Sequence, residues 1–352
     1  MNPEVLLSVR DLRVSFGAVE AVRGLSFDVH KGQVLAVVGE SGAGKSLTAR
    51  ALLGMPPRQA TMTGSVRMGP YELVGAPRSV RAALWGRRLA LVPQDALAAL
   101  SPVHRVADQL AAAVRSVDGV SRMEARARAV AALEEVGIPA DRTRAYSHEF
   151  SGGMRQRAVI AMALLHSPAL VIADEPTTAQ DPETQRQLLD LLTHRSEATG
   201  ATLVLITHDL PMVRDHADRV LVMYAGRLAE EGPVEEVFTH PRAPYTAGLL
   251  TSLPQPKAPL QGREAVTYAA PPRGRAQPKQ TRRGRLPSIP GTPPNPTNLP
   301  PGCAFAPRCP LADATRCATT PPEPETHNNR TVACHHWREL RAHPAELFPE
   351  ST

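Results

Sequence analysis

Gly39-Glu40-Ser41-Gly42-Ala43-Gly44-Lys45-Ser46 has the composition and spacing of a phosphate-binding loop. Gly39, Ser41, Gly42 and Gly44 allow backbone N–H groups to turn inward and cradle phosphate oxygens at the start of a helix, where the dipole favours an anion. Lys45 is spaced to reach the β- and γ-phosphates, and the Ser46 hydroxyl to ligate Mg²⁺. Such a loop alone implies only that a nucleotide phosphate is bound. Two later segments say more. The pair Asp174-Glu175 follows the apolar run Leu170–Ala173 and precedes Pro176. A carboxylate at the C-terminal edge of a strand beside a phosphate loop can hold Mg²⁺, commonly through water, which suits Asp174. Glu175 is then placed to orient or deprotonate an attacking water. Ser151-Gly152-Gly153 opens a helix that is predicted to begin near Met154, and two glycines with a hydroxyl there make a second anion site. With one phosphate loop already present, that second site is most useful facing the ATP of another copy, although plain N-capping by Ser151 accounts for the same residues.

The elements that must hold these groups are legible as apolar runs. Val34–Val38 and Leu170–Ala173 are short and continuously apolar, the pattern of parallel strands buried on both faces. Ser46–Leu53 is predicted as the helix after the loop, stopped by Gly54. Residues 94–168 read as mostly helical, with apolar residues at helical spacing in Ala107–Val114 and Arg122–Val136, and residues 169–253 return to strand–helix alternation. Residues 254–301 are rich in proline without either periodicity, which predicts a semi-extended linker. There is no internal repeat.

In this order and at these distances the motifs resemble the ATP-binding subunits of ABC transporters, over residues 5–253. The resemblance implies an α/β fold: the P-loop ABC ATPase domain, a mixed-sheet core with a helical subdomain at about 94–168. It also implies roles. Phe16 stands where the family keeps an aromatic that stacks on adenine. Gln94, after the predicted strand Leu89–Pro93, matches the glutamine that senses Mg²⁺ and the γ-phosphate. Ser151-Gly152-Gly153 matches the motif that completes the partner's ATP site. Thr177-Thr178-Ala179-Gln180-Asp181 matches the loop crossing the dimer interface, with Gln180 where the family usually has Leu. His208, after the predicted strand Thr202–Thr207, matches the histidine that contacts the γ-phosphate.

Farther along the resemblance narrows to the oligopeptide and dipeptide importer branch. It rests on Gly232–Phe238, on His240-Pro241-Arg242-Ala243-Pro244-Tyr245-Thr246, and on Leu299–Pro310 with its Pro-Gly-Cys and Arg-Cys-Pro elements. That branch implies a second, related ATPase subunit in a heterodimer, two transmembrane permease subunits and an extracytoplasmic solute-binding protein, with no direct contact to nucleic acid. Nickel importers are close relatives and stay open as an alternative. A soluble ABC ATPase of nucleic-acid repair or translation fits less well, because that class usually carries two ATPase domains on one chain or a long coiled-coil insertion. An exporter subunit is disfavoured by the tail.

The 352 residues can hold one large α/β domain with an appendage, expected as an ATPase domain at 1–253, a linker at 254–301 and an extension at 302–352. No apolar run approaches membrane-span length, and the first residues lack an apolar signal region, so the expectation is a peripheral protein on the cytoplasmic face of the plasma (inner) membrane. The net charge of +6 is local: seven Arg or Lys and no acid lie between Ala265 and Ala312, leaving −1 for the rest. The basic strap Arg273–Arg285 suits anionic lipid or nucleic acid less well than plain solvation of a linker.

All four cysteines, Cys303, Cys309, Cys317 and Cys334, lie in the last 50 residues. A reducing cytosol disfavours disulfides, and clustered thiols there more often bind metal. The intervals of five, seven and sixteen residues lack the tight Cys-x-x-Cys knuckles of many zinc sites. Four thiolates also suit a [4Fe–4S] cluster, which the resembled importer ATPases can carry; Zn²⁺ is the alternative, with His335 and His336 adjoining Cys334 as substitute ligands. The tail has few large apolar residues, and metal–thiolate bonds are expected to supply its folding energy.

Overall fold

The computed structural model describes residues 4–178, 180–251, 289–340 and 347–348; the basic strap Arg273–Arg285 lies outside these. Among the described residues twelve strands follow one another as β1 (Val5–Phe16), β2 (Val19–His30), β3 (Val34–Val38), β4 (Thr61–Met68), β5 (Tyr71–Glu72), β6 (Leu89–Val92), β7 (Leu170–Asp174), β8 (Thr202–Ile206), β9 (Arg219–Tyr224), β10 (Arg227–Pro233), β11 (Glu325–His327) and β12 (Arg330–Val332). They form a four-stranded antiparallel sheet, ordered β2-β1-β4-β5, and an eight-stranded mixed sheet, ordered β11-β12-β10-β9-β3-β8-β7-β6.

Every residue of β7 and β8 is buried, as is β3 apart from its first residue, because this stretch of sheet is covered on both faces. In β1 the alternating residues Leu7, Val9, Leu12 and Val14 are buried, which makes it a one-faced strand. The run β9-β3-β8-β7-β6 is parallel, and its register pairs Val37 with Ile206, Ile206 with Asp174, and Ala173 with Val92. The carboxyl ends of β3, β6, β7 and β8 therefore lie along one edge, the place where open α/β sheets bind ligands.

Helices Lys45–Leu52, Val106–Asp118, Arg122–Glu135 and Gly152–Leu164 stand where the sequence predicts them, with ends shifted by up to a few residues. In Val106–Asp118 the buried residues Val106, Ala107, Leu110, Ala111 and Val114 form one stripe. They join Leu133, Phe150 and Ile160 in the core of the helical part. Among the described residues no helix is long and apolar enough to cross a membrane.

The tail departs from its expected form. β11 and β12 make a hairpin, and β12 pairs with β10, so the tail extends the large sheet. Asn328 and Asn329, both at positive φ, close the turn, a conformation that Asn tolerates. Two charged ties fasten the hairpin. Glu230, fully buried, pairs with Arg330 and accepts from the backbone N–H of Arg242 (2.9 Å) and of Ala243 (3.0 Å). Arg219 donates to Glu231 (2.9 Å) and to Asn329 (2.9 Å). Removing one partner of so buried a pair costs about 3–5 kcal/mol. The shortage of apolar residues expected of the tail is met by sharing: Phe305, Phe348, Cys303 and Cys309 pack with Tyr224, Tyr245, Ala247 and Leu250 of the preceding region. Residues 289–301 contain neither helix nor strand.

Candidate ATP site and thiol cavity

The phosphate loop leaves β3 at Gly39, whose φ is 151°; a Cβ there would lie 2.2 Å from the Met223 carbonyl oxygen. Gly44 caps the following helix at φ 97° without any side-chain cap, and a Cβ there would meet the Ala21 carbonyl at 2.7 Å. Both positions exclude other residues. The uncapped first turn leaves its N–H groups free to take an anion.

Lys45 is 6% exposed, and its ammonium donates to the carbonyls of Gly39 (2.9 Å) and Glu40 (3.1 Å). Burial lowers its pKa, while Glu175, Asp174 and Glu40 pull the other way. The Ser46 hydroxyl donates to Asp174 Oδ1 at 2.9 Å. Asp174 is buried, and burial raises its pKa against the hydrogen bond from Ser46. These side chains, placed 128 residues apart in the chain, meet because β3 and β7 end along the same edge with β8 between them.

At Glu175 the chain turns into the left-handed region, with φ 46° and its N–H bonded to the Ile206 carbonyl at 2.9 Å. A non-glycine residue there stores strain that neighbouring bonds must hold. The turn separates the two adjacent acids: Asp174 faces Ser46, whereas Glu175 accepts from Gln94 Nε2 (3.1 Å) and the Thr178 hydroxyl (3.0 Å). His208 Nδ1 lies 3.6 Å from the other Glu175 oxygen, on a side chain 68% exposed. Gln94, Glu175 and His208 are thus brought together from the ends of β6, β7 and β8. Thr178, in the loop that the resemblance places at a dimer interface, completes the group through its hydroxyl bond to Glu175.

Other candidates sit apart from this group. Phe16, half-buried, ends β1 at the turn into β2. The Ser151 hydroxyl caps the helix Gly152–Leu164, accepting from Met154 N–H at 3.2 Å. Asp181 caps the helix Pro182–Thr199, accepting from Thr184 N–H (3.0 Å) and the Thr184 hydroxyl (2.7 Å), bonds that hold its pKa below the usual carboxylate range. Gly152 lies against Gln180: a Cβ there would come 3.0 Å from Gln180 Nε2. Gly153 is half-buried in the first turn of the Ser151-capped helix.

Cys303, Cys309, Cys317 and Cys334 are all unbridged and line one cavity with Phe305 and His336. Burial pushes the Cys334 thiol up to about 12 and Cys309 up to about 11, and raises Cys303 and Cys317; each is further discouraged from ionising by other thiols or by Asp313. Cys317 is buried and the other three are half-buried; thiols that share one cavity and resist ionising could act as donors to a cation, which would reverse that balance. Beside them, the ligand atoms of Asp313, Cys317 and His336 lie within 4.8 Å of one another, with Asp313 Oδ2 and His336 Nε2 at 2.8 Å.

Residues 22–178 match the family model described as ABC transporter, and residues 229–279 and 274–317 match the one described as Oligopeptide/dipeptide transporter, C-terminal region. Over 339 residues the chain is 41% identical to the dipeptide transport ATP-binding protein DppD of Bacillus subtilis, covering 94% of each. The chain belongs to the ABC-transporter ATP-binding proteins. Among these it is also similar to the oligopeptide transport ATP-binding protein OppD of Mycobacterium tuberculosis, at 45% identity over 92% of this chain. It spans half the length of that relative. A solved ATP-binding subunit of an ABC transporter matches with a TM-score of 0.55 and 29% identity, over 66% of this chain and 91% of the other. The ABC cassette accounts for the mixed sheet and the line of motifs along its edge.

Proposed function

We propose that this chain hydrolyses ATP to ADP and phosphate in an ABC importer and couples that cycle to uptake of di- or oligopeptides through a separate transmembrane permease. The observation that carries the ATPase reading is the convergence of Lys45, Ser46, Asp174, Glu175, Gln94 and His208 on one sheet edge. The match of residues 229–317 to the peptide-transporter C-terminal region supports the peptide branch.

In this reading Gly39, Ser41, Gly42 and Gly44 wrap the phosphates, and Lys45 leaves its two carbonyls for the β- and γ-oxygens. Phe16 stacks on adenine. Ser46, Asp174 and Gln94 hold Mg²⁺, which neutralises charge developing on the phosphates when bound. Glu175 orients and deprotonates the attacking water, while His208 and Gln94 report the γ-phosphate. Ser151, Gly152, Gly153 and Asp181 complete the ATP site of a second ABC ATPase subunit, most simply a related chain in a heterodimer. Residues 1–253 form the ATPase domain, 94–168 its permease-facing part, and 302–352 an accessory lobe seated on it. The assembly then contains two permease subunits and an extracytoplasmic solute-binding protein, with this chain peripheral on the cytoplasmic face of the plasma membrane. Affinity purification from mild detergent tests the whole reading. Two multi-span permeases and a solute-binding protein are expected; recovery of ribosomes or DNA-repair factors overturns it.

Within the same reading Cys303, Cys309, Cys317 and Cys334 hold a [4Fe–4S] cluster whose role is to fold the lobe, with Zn²⁺ as the other candidate. Thiolate ligation would add to the folding energy of the apolar contacts that the lobe shares with the preceding region. Anaerobically purified protein is expected to be brown, with about four irons per chain. Cys309→Ser is expected to lose the iron and expose the tail to protease. Colourless protein with one stoichiometric zinc decides for Zn²⁺, and metal-free protein with an equally protected tail rejects both.

A further inference from the structure

The phosphate loop is gripped from outside by the thiol lobe. Arg308, which directly precedes Cys309, makes a bidentate pair with Glu40, Nη1 to Oε2 at 2.7 Å and Nη2 to Oε1 at 3.0 Å, across 268 residues of sequence. Its side chain is 6% exposed and that of Glu40 21%. Two further donors are engaged: Nε bonds the Pro290 carbonyl (2.8 Å) and Nη1 the Tyr224 hydroxyl (3.1 Å). The guanidinium lies 5.9 Å from the ring centres of both Tyr224 and Phe305. Glu40 is held at its backbone too, donating its N–H to the Tyr245 hydroxyl at 2.9 Å. The carbonyl of this same residue accepts from the Lys45 ammonium at 3.1 Å.

An acid inside a phosphate loop needs a reason. An unpaired carboxylate beside the phosphates would repel ATP, and at short range in a partly buried site that repulsion is weakly screened. A planar guanidinium with two parallel bonds both cancels the charge and orients the group. We propose that Arg308 is a positioning residue for ATP binding: it neutralises Glu40 and sets the backbone that parks Lys45, so the phosphate loop acquires its binding geometry only when the C-terminal lobe is seated. This inference rests on the ATP site described above, and neither resemblance nor motif assigns Arg308 or Glu40 a role.

The test measures the Kd for MgATP, the KM and kcat of ATP hydrolysis, and protease protection of the tail, on the full chain. Arg308→Gln is expected to weaken MgATP binding and raise KM about tenfold, with kcat little changed. Arg308→Lys, which keeps the charge without the bidentate bond, is expected to fall between. The deciding variant is Arg308→Gln combined with Glu40→Gln. If Arg308 acts by cancelling Glu40, removing the carboxylate restores most of the affinity. A merely structural brace predicts that the double variant binds ATP no better than Arg308→Gln alone, and that result overturns the proposal. Wild-type affinity in Arg308→Gln with a protected tail also overturns it. Should Arg308→Gln leave the tail unprotected, Arg308→Lys carries the test: affinity that is kept, or is weakened and then restored by adding Glu40→Gln, supports the proposal, and weakened affinity that Glu40→Gln does not restore overturns it. Failure of the wild-type chain to bind MgATP would instead overturn the reading of the site itself.

Discussion

Glu175→Gln is expected to leave ATP binding intact and to slow hydrolysis by ~10²–10⁴-fold, the usual worth of a positioned base. The substitution keeps the shape of the side chain. Its amide oxygen can still accept one bond from Gln94 or Thr178, which now hold the carboxylate at 3.1 and 3.0 Å, so the group stays in place without its basicity. Lys45 and Ser46, which face phosphate and Mg²⁺ in the proposed mechanism, are untouched. Lys45→Ala makes the contrast: it removes a buried ammonium from the phosphate loop, and its main effect is on Kd for ATP. Single-turnover hydrolysis and equilibrium nucleotide binding on the same preparations separate the two. A Glu175→Gln variant that turns over at the wild-type rate removes Glu175 from the base role.

Ser151→Arg is expected to spare ATP binding by the isolated chain and to abolish ATP-driven closure with the second ATPase subunit. In the single chain Ser151 is exposed and only caps its helix. Loss of that cap costs about 1 kcal/mol, which folding of this domain can absorb. Arginine also fills the space into which, in the proposed dimer, the partner's γ-phosphate must fit. Ser151→Ala separates the two effects, since it removes the cap without filling the space. The measurement is ATPase stimulation by the permease in membranes. Equal stimulation of Ser151→Arg and wild type sinks the idea that this loop completes a site across an interface.

How much of this was legible in the residues depends on whether the feature is local. β3, β7 and β8 could be seen as apolar runs because a strand covered on both faces is apolar at nearly every position, with Asp174 and Thr202 only at strand ends. The phosphate loop was legible because its geometry is a property of consecutive backbone units: Gly39 and Gly44 must be glycine where positive φ and a close carbonyl exclude a Cβ. The helices Val106–Asp118 and Arg122–Glu135 declared themselves by a stripe of buried residues. The hairpin of the tail did not. Its strands Glu-Thr-His and Arg-Thr-Val are three residues each and mostly polar, too short to show alternation, and only Asn328-Asn329 marked the turn.

The sequence by itself therefore determined the chemistry on offer and the elements that carry it: a phosphate cradle, two acids after one strand, a glutamine and a histidine after two others, and four thiols near one end. Tertiary structure alone decided who meets whom. The left-handed turn at Glu175 sends adjacent acids to different partners, Ser46 on one side and Gln94 on the other. Glu230 and Arg330, charges that composition would assign to solvent, are buried against each other. Arg308 closes on Glu40 where the tail hairpin joins the large sheet at β10 and the rings of Tyr224 and Phe305 lie against its guanidinium. The physical reason is common to the last two. A local motif is written in backbone torsions a few residues long, whereas a buried ion pair depends on the position and desolvation of groups far apart in the chain, which exist only once the sheet has formed.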